Sequence, residues 1–264
     1  MADAISDNQV VAVLRPFVRG CGPMLDALRE SDPFGLQERA RRQEDDELAE
    51  VDSGLKAKLL DGLTSVKVPG TAAWAKMTPH ERTNWWMNRV GRFTALLTAI
   101  PGLGGALADR LPVQDALGSA AQGLLLCAIA REYGVTDVGT KVRLIAWVLF
   151  ERDIDPALAA GTKADEAAEA DEAAKLTEEL AESEKKHGKV TLKAAAGTLW
   201  RLGRALLGIT GELEKRPRGN LFHRALGMLP VVGAAGDYLG ERSGLREVWK
   251  RAHTWLTEHP APVS

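Results

Sequence analysis

The five histidines are the first residues to test for chemistry, because imidazole acts as a metal ligand and as a general acid or base. They lie at positions 80, 187, 223, 253 and 259. No two are four residues apart, the spacing that places two imidazoles on one helical face for zinc. His80-Glu81 begins like a zinc-protease motif, but Asn84 occupies the place of the second histidine. The sequence therefore predicts no metal site, and we expect surface or capping roles.

Motifs for phosphate binding and for nucleophilic catalysis are missing as well. A nucleotide hydrolase needs a loop of the type G-x-x-x-x-G-K-[ST], and the chain has none. The run Gly102–Gly105 lacks the third glycine of a dinucleotide fingerprint and follows a predicted helix instead of a strand. No G-x-S-x-G motif occurs, and Ser119 falls inside an apolar helical pattern. The sequence predicts no cofactor and no catalytic residue.

Three carboxylates lie beside apolar turns, where burial could adapt a carboxylate to acid–base work. These are Asp109, Asp115 and Asp237. A general acid needs a carboxyl group whose pKa is raised by its surroundings, whereas an aspartate at such a turn more commonly caps a helix. Helix capping is the favoured interpretation, and an enzyme with a site assembled by the fold stays open as an alternative.

The composition favours an all-α fold in a chain of 264 residues. Hydrophobic residues make up 45% and charged residues 27%, as in proteins with a packed core. The chain is rich in Ala, Leu, Glu and Arg, which favour helices, and aromatic residues supply only 5%. The formal charge of −2 argues against nucleic-acid binding. From Gly188 onward, however, twelve Lys and Arg face six Asp and Glu, so this part is basic.

The cysteines and the apolar runs predict a cytoplasmic protein. Cys21 and Cys127 lie in different segments and show no pairing pattern, so we expect no disulfide framework. The start, Met1–Gln9, is polar and acidic and does not resemble a signal peptide. The longest apolar runs, Phe93–Ala108 and Ala116–Ala130, are too short to cross a bilayer as a helix.

Four segments are predicted along the chain. Residues 1–73 are predicted as amphipathic helices broken at Gly20–Pro23, and residues 74–160 as a first helical half with an apolar Pro-Gly turn. Residues 161–188 are rich in Ala and Glu and favour a solvated helix or linker. Residues 189–264 form a second, basic helical half. The predicted fold is a multi-helix bundle of two halves with Pro/Gly-broken helical hairpins.

Each half contains a similar apolar turn. Ala99–Ala106 and Met228–Ala235 share an aliphatic residue, a proline, two spacers, and then glycine and small residues. The match is consistent with a repeated hairpin or with chance. Tryptophan and arginine precede the first turn, an arrangement found at membrane interfaces, although core packing of the tryptophans is the commoner outcome. The candidate membrane or partner contacts are Trp85, Trp86, Arg89, Arg92, Pro101, Leu103, Pro230, Val231 and Val232.

Two stretches of the first half carry a resemblance to a known family. Ala99–Gly105 followed by Ala128–Val135 resembles the EcsC family of bacterial helical proteins, and Leu229–Ala234 looks like a later segment of that family. The resemblance implies a peripheral membrane protein, linked in the named member to a transporter operon and to export, with no established enzymatic activity. The Ala/Glu-rich segment 162–187 departs from the family pattern.

The sequence therefore leads to one main hypothesis and one alternative. The main hypothesis is a non-enzymatic helical scaffold or regulator on the inner face of the cell membrane, whose apolar turns contact anionic lipid or a membrane protein. The alternative is a soluble protein–protein interaction module with no membrane contact, in which the same turns bury against each other or a partner.

Overall fold

A computed structural model describes residues 5–30, 69, 72–99, 113–209 and 233–259. Within these ranges the chain forms nine α-helices, one short 3₁₀-helix and no strand, so the predicted all-α class is confirmed. The helices are α1 (Asp7–Glu30), α2 (Ala72–Ala75), α3 (Pro79–Ala99), α4 (Val113–Glu132), α5 (Val138–Phe150), α6 (Pro156–Ala160), α7 (Lys163–His187), α8 (Leu192–Leu206) and α9 (Gly233–Glu258), with the 3₁₀-helix at Leu207–Ile209.

Local signals define several helix ends. At the start of α3, the backbone N–H of Glu81 donates to Thr78 Oγ1 at 3.3 Å, and the Thr78 N–H donates to Glu81 Oε2 at 2.8 Å. This reciprocal pair is the capping box that the sequence predicts. Asp137 caps α5 by accepting a hydrogen bond from the Thr140 N–H at 2.7 Å. Gly188 ends α7 with φ of +67°, a left-handed conformation that favours glycine.

The break predicted at Gly20–Pro23 is wrong, because α1 continues from Asp7 to Glu30 through both internal prolines, Pro16 and Pro23. Tertiary packing outweighs the local helix-breaking tendency here. Gly20 lies against α7 and α8: a Cβ atom at this position would come within 3.0 Å of Leu202 Cδ2. Cys21 and Met24 are fully buried, so the middle of α1 is held on several sides.

The bundle contains both antiparallel and parallel helix pairs. Trp86 of α3 contacts Glu132 at the end of α4, so these two helices form an antiparallel hairpin. Helices α1 and α4 are parallel, since Asp26 near the end of α1 pairs with Arg131 near the end of α4 at 2.7 Å. Helix α8 runs back along α1 and α4. Residues of both predicted halves contribute to one buried apolar cluster.

Segment 161–188 forms helix α7, and its two ends differ in burial. Residues 163–168 are exposed. Further along, Leu176 and Leu180 are buried, four residues apart on one helical face, and α7 packs against α1 and α8 along this part. Arg201 of α8 donates to Glu179 Oε1 at 2.6 Å on the same side. The segment is therefore a helix with a solvated start and a packed later half.

One arginine is buried where α1, α6 and α7 meet. Arg15 is 3% exposed, and its guanidinium donates to the carbonyl oxygens of Ala159 and Ala160 and to the Glu169 carboxylate. Arg19 donates to the other carboxylate oxygen of Glu169 at 3.0 Å. A buried charge is tolerated only when its hydrogen bonds are satisfied in this way. These bonds attach the start of α7 to α1.

Candidate functional site

The structure places the predicted contact residue Trp86 in the interior. Its side chain is 1% exposed, and its Nε1–H donates to Glu132 Oε1 at 2.9 Å. Arg82 is also 3.6 Å from Glu132 Oε2 and lies over the ring of Trp74. Trp86 is therefore packed in the core, which is the commoner outcome that the sequence predicts for the tryptophans, and α4 supplies its hydrogen-bond acceptor.

Trp85 and Arg89 are partly buried and contact each other. The Arg89 guanidinium lies 5.6 Å from the centroid of the Trp85 ring, and its Nε–H donates to the Leu28 carbonyl oxygen at 3.0 Å. Trp85 makes edge contacts with Trp74 at 5.3 Å and with Trp86 at 5.0 Å. Both predicted contact residues thus take part in packing between α1, α2 and α3.

For three other candidate residues the structure describes the backbone alone. Arg92 lies in α3, and Asp115 and Asp237 lie in α4 and α9, but only their backbone is described. Five further contact candidates, and Asp109, lie outside the described residues: Pro101, Leu103, Pro230, Val231 and Val232. The helix ends on either side of these residues are described. They show where two connections with apolar turns, residues 100–112 and residues 210–232, leave the bundle.

The first of these connections, residues 100–112, joins the end of α3 to the start of α4. The start of α4 also lies beside the end of α8: a Cβ atom on Gly203 would come 2.4 Å from the Ala116 carbonyl oxygen. The 3₁₀-helix at Leu207–Ile209 follows directly. The second connection, residues 210–232, therefore leaves from the same side of the bundle as the first.

The second connection also returns to this side. Helix α9 is antiparallel to α3, because Trp249 Nε1–H donates to Thr83 Oγ1 at 3.1 Å whereas Leu245 contacts Gly91 further along α3. At a rise of about 1.5 Å per residue, Gly233 lies roughly 18 Å beyond Leu245, in the direction in which α3 runs to Ala99. We call the side marked by Ala99, Val113, Ile209 and Gly233 the turn end of the bundle.

A polar aromatic cluster lies at the opposite end, between α3, α4 and α9. The Trp249 ring stacks on His253 with centroids 5.8 Å apart, and His80 meets the edge of the same ring at 5.0 Å. Tyr133 Oη is 3.0 Å from His253 Nδ1. Burial raises the pKa of Tyr133 above its ordinary value, so its phenol is neutral at physiological pH. With Thr83, which accepts the Trp249 hydrogen bond, the cluster has five members.

The ring contacts and hydrogen bonds of these five side chains join α9 to α3 and to the end of α4. A search of the sequence for closely spaced histidines misses this cluster, because His80 and His253 lie on helices that are far apart along the chain and adjacent in the bundle. The useful sequence signal is Trp249 and His253, four residues apart on α9.

Two further observations concern the described part of the chain. Its His, Cys, Asp and Glu side chains form no group of three or more that could hold a metal ion. Its helices include none with the length and apolarity needed to cross a membrane.

The described helices define an all-α helical bundle in which the helix ends that adjoin residues 100–112 and 210–232 lie on one side. Comparison of the chain with protein-family models, with curated proteins and with solved structures gives no match.

Proposed function

We propose that this protein is a non-enzymatic scaffold or regulator that attaches peripherally to a membrane surface through the turn end of its bundle. The observation that carries the proposal is the convergence of both apolar connections on that end. Two segments with apolar turns that leave from one side can enter the same surface together, whereas segments on opposite sides cannot. The resemblance to the EcsC family, and its implied link to transport or export, belongs to this proposal.

The residue types of the two connections suit shallow insertion. Leu103, Val231 and Val232 are aliphatic, and burying such a side chain contributes about 1.5–3 kcal/mol. A few of them suffice for reversible attachment without a membrane-spanning helix. Residues 210–232 also contain four Lys or Arg against two Asp or Glu, which favours anionic headgroups. The exposed carboxylates Asp165 and Glu166 at the start of α7 would repel anionic headgroups. We therefore assign the lipid contact to residues 100–112 and 210–232 and not to α7.

Vesicle flotation of the full chain tests this proposal. We expect the protein to float with vesicles of phosphatidylcholine and phosphatidylglycerol, and Leu103→Asp and Val231→Asp to abolish flotation, because each places a charge in the apolar segment. The matched control is Ala174→Asp, which adds the same charge on the exposed face of α7. Wild-type protein that stays at the bottom of the gradient, or equal losses in all three variants, would contradict membrane attachment.

A soluble interaction module is the second candidate, and one observation favours it. Trp86 is buried and Arg89 is bonded within the bundle, so two of the features typical of a membrane interface already have intramolecular partners. In this case the turn end binds protein instead of lipid. Light scattering would then show a defined oligomer of the wild-type chain that Val231→Asp dissociates, together with no flotation.

A further inference from the structure

The two cysteines of the chain lie side by side in the core. Cys21 of α1 is fully buried, and Cys127 of α4 is 3% exposed. The two thiols are close enough to interact electrostatically, and both are free. The sequence separates them widely and gives no sign of this pairing. Packing of α1 against α4 brings them together.

The register of these two parallel helices supports the contact independently. Phe17 packs on Gly123, one helical turn before the cysteines, and Asp26 pairs with Arg131 just after them. The residue numbers differ by 106 in the first pair and by 105 in the second. The two cysteines also differ by 106, so they occupy the same facing positions between two observed contacts.

Gly123 determines how closely the helices approach at this point. A Cβ atom on Gly123 would come 2.6 Å from Phe17 Cζ, far inside van der Waals contact. Only a glycine at position 123 therefore leaves room for the Phe17 ring against the α4 backbone. This contact fixes the register of α1 on α4 one turn before the cysteines.

We propose that Cys21 and Cys127 form a modification site at which an intramolecular disulfide clamps α1 to α4. The oxidant is a small disulfide of the oxidised-glutathione class. One cysteine thiolate attacks it, which forms a mixed disulfide and expels the first small thiolate. The second cysteine then attacks the mixed disulfide and expels the second small thiolate. One S–S bond is broken and one is formed, and the two cysteine protons pass to the two released thiols.

The surroundings predict a slow first step and a fast second step. Burial, together with the neighbouring Cys127 thiol, raises the pKa of Cys21 well above its ordinary value, although the charge of Lys141 opposes this. The reactive thiolate is therefore scarce near neutral pH, and the reagent must also reach a covered site. Once a mixed disulfide forms, the second thiol is already adjacent. We expect the disulfide to accumulate without a lasting adduct.

Equilibration of the full chain in glutathione redox buffers tests the proposal. The disulfide fraction is read by alkylation and intact mass, once under native conditions and once in concentrated urea. The constraint on a loop of this length predicts a native equilibrium constant about 3,000-fold larger than the unfolded one. A ratio of at least about 100 still supports the site after allowance for bond strain. Equal constants would overturn it, and so would a glutathione adduct that persists on the native chain.

Two single variants show whether the bond is intramolecular. Cys21→Ser and Cys127→Ser each keep one thiol, so neither can lose the two hydrogens that the wild-type chain loses on oxidation. Disulfide-linked dimers as the main wild-type product would overturn the proposal. If either variant fails to fold, the ratio of the two wild-type equilibrium constants decides the question without it.

Discussion

Replacement of Glu169 by glutamine removes one charge from the buried contact that attaches α7 to α1. In the wild-type protein, the Glu169 carboxylate accepts hydrogen bonds from Arg15 and from Arg19. Glutamine keeps the volume and one carbonyl oxygen, so the packing is preserved. What changes is that the guanidinium of Arg15, which is almost fully buried, loses its counter-charge.

The size of the effect follows from the two bonds. Arg15 and Arg19 donate to different oxygens of Glu169, and glutamine keeps an oxygen at only one of these two positions. A hydrogen bond to a charged group contributes about 1.5–3 kcal/mol, so the loss of one bond costs about 2 kcal/mol. The Glu169 side chain is 13% exposed, and solvent therefore screens the pair only slightly. We expect Glu169→Gln to lower the free energy of unfolding by about 2 kcal/mol.

Urea denaturation followed by far-UV circular dichroism measures this change. With an m value of about 3 kcal/mol/M, the midpoint falls by about 0.7 M. The control is Glu172→Gln, which breaks an exposed pair with Lys175 and should cost about 0.3 kcal/mol. Added salt should not close the gap between the variants, because a buried pair is little screened. Equal midpoint shifts in the two variants would refute the reasoning.

Two further predictions concern helix packing and a titrating phenol. Gly203→Ala should lower the free energy of unfolding by about 1–3 kcal/mol, because the added methyl group meets the Ala116 carbonyl oxygen. In the control, Gly22→Ala, the methyl group meets no atom within 4 Å and should stabilise α1 by up to about 1 kcal/mol. Thermal melting compares the two variants, and equal effects would contradict the assigned contact. In a Tyr238→Phe background, the tyrosinate absorbance should titrate with a midpoint above 10.0, since burial raises the pKa of Tyr133. The folded state then binds this proton more tightly, so its contribution to stability is complete below pH 10 and is lost as the pH rises through the folded pKa; a midpoint at or below 10.0 would contradict the burial.

The local features of the fold are predictable from the sequence. The capping box of Thr78 and Glu81 is recognisable from residue types three positions apart, and the structure contains it. The all-α class follows in the same way from composition and apolar spacing. Such features depend on interactions within one or two helical turns, so neighbouring residues are sufficient to determine them.

The break predicted in α1 shows where local signals fail. Gly20, Gly22 and Pro23 each disfavour a helix, yet α1 continues through all three. The burial of Cys21 and Met24 among other helices stabilises this segment by more than the local cost. That gain comes from residues far away in the chain, so no window around Gly20 contains it.

The candidate sites depend on the tertiary structure to an even greater degree. The residue types of the two apolar connections are visible in the sequence, but their convergence on one end follows only from the antiparallel packing of α3 with α4 and α9. The burial of Trp86 and the pairing of Cys21 with Cys127 likewise require contacts across long stretches of chain. Helix periodicity determines which residues share a face. Which faces meet is decided only when the whole bundle excludes water from its apolar surfaces.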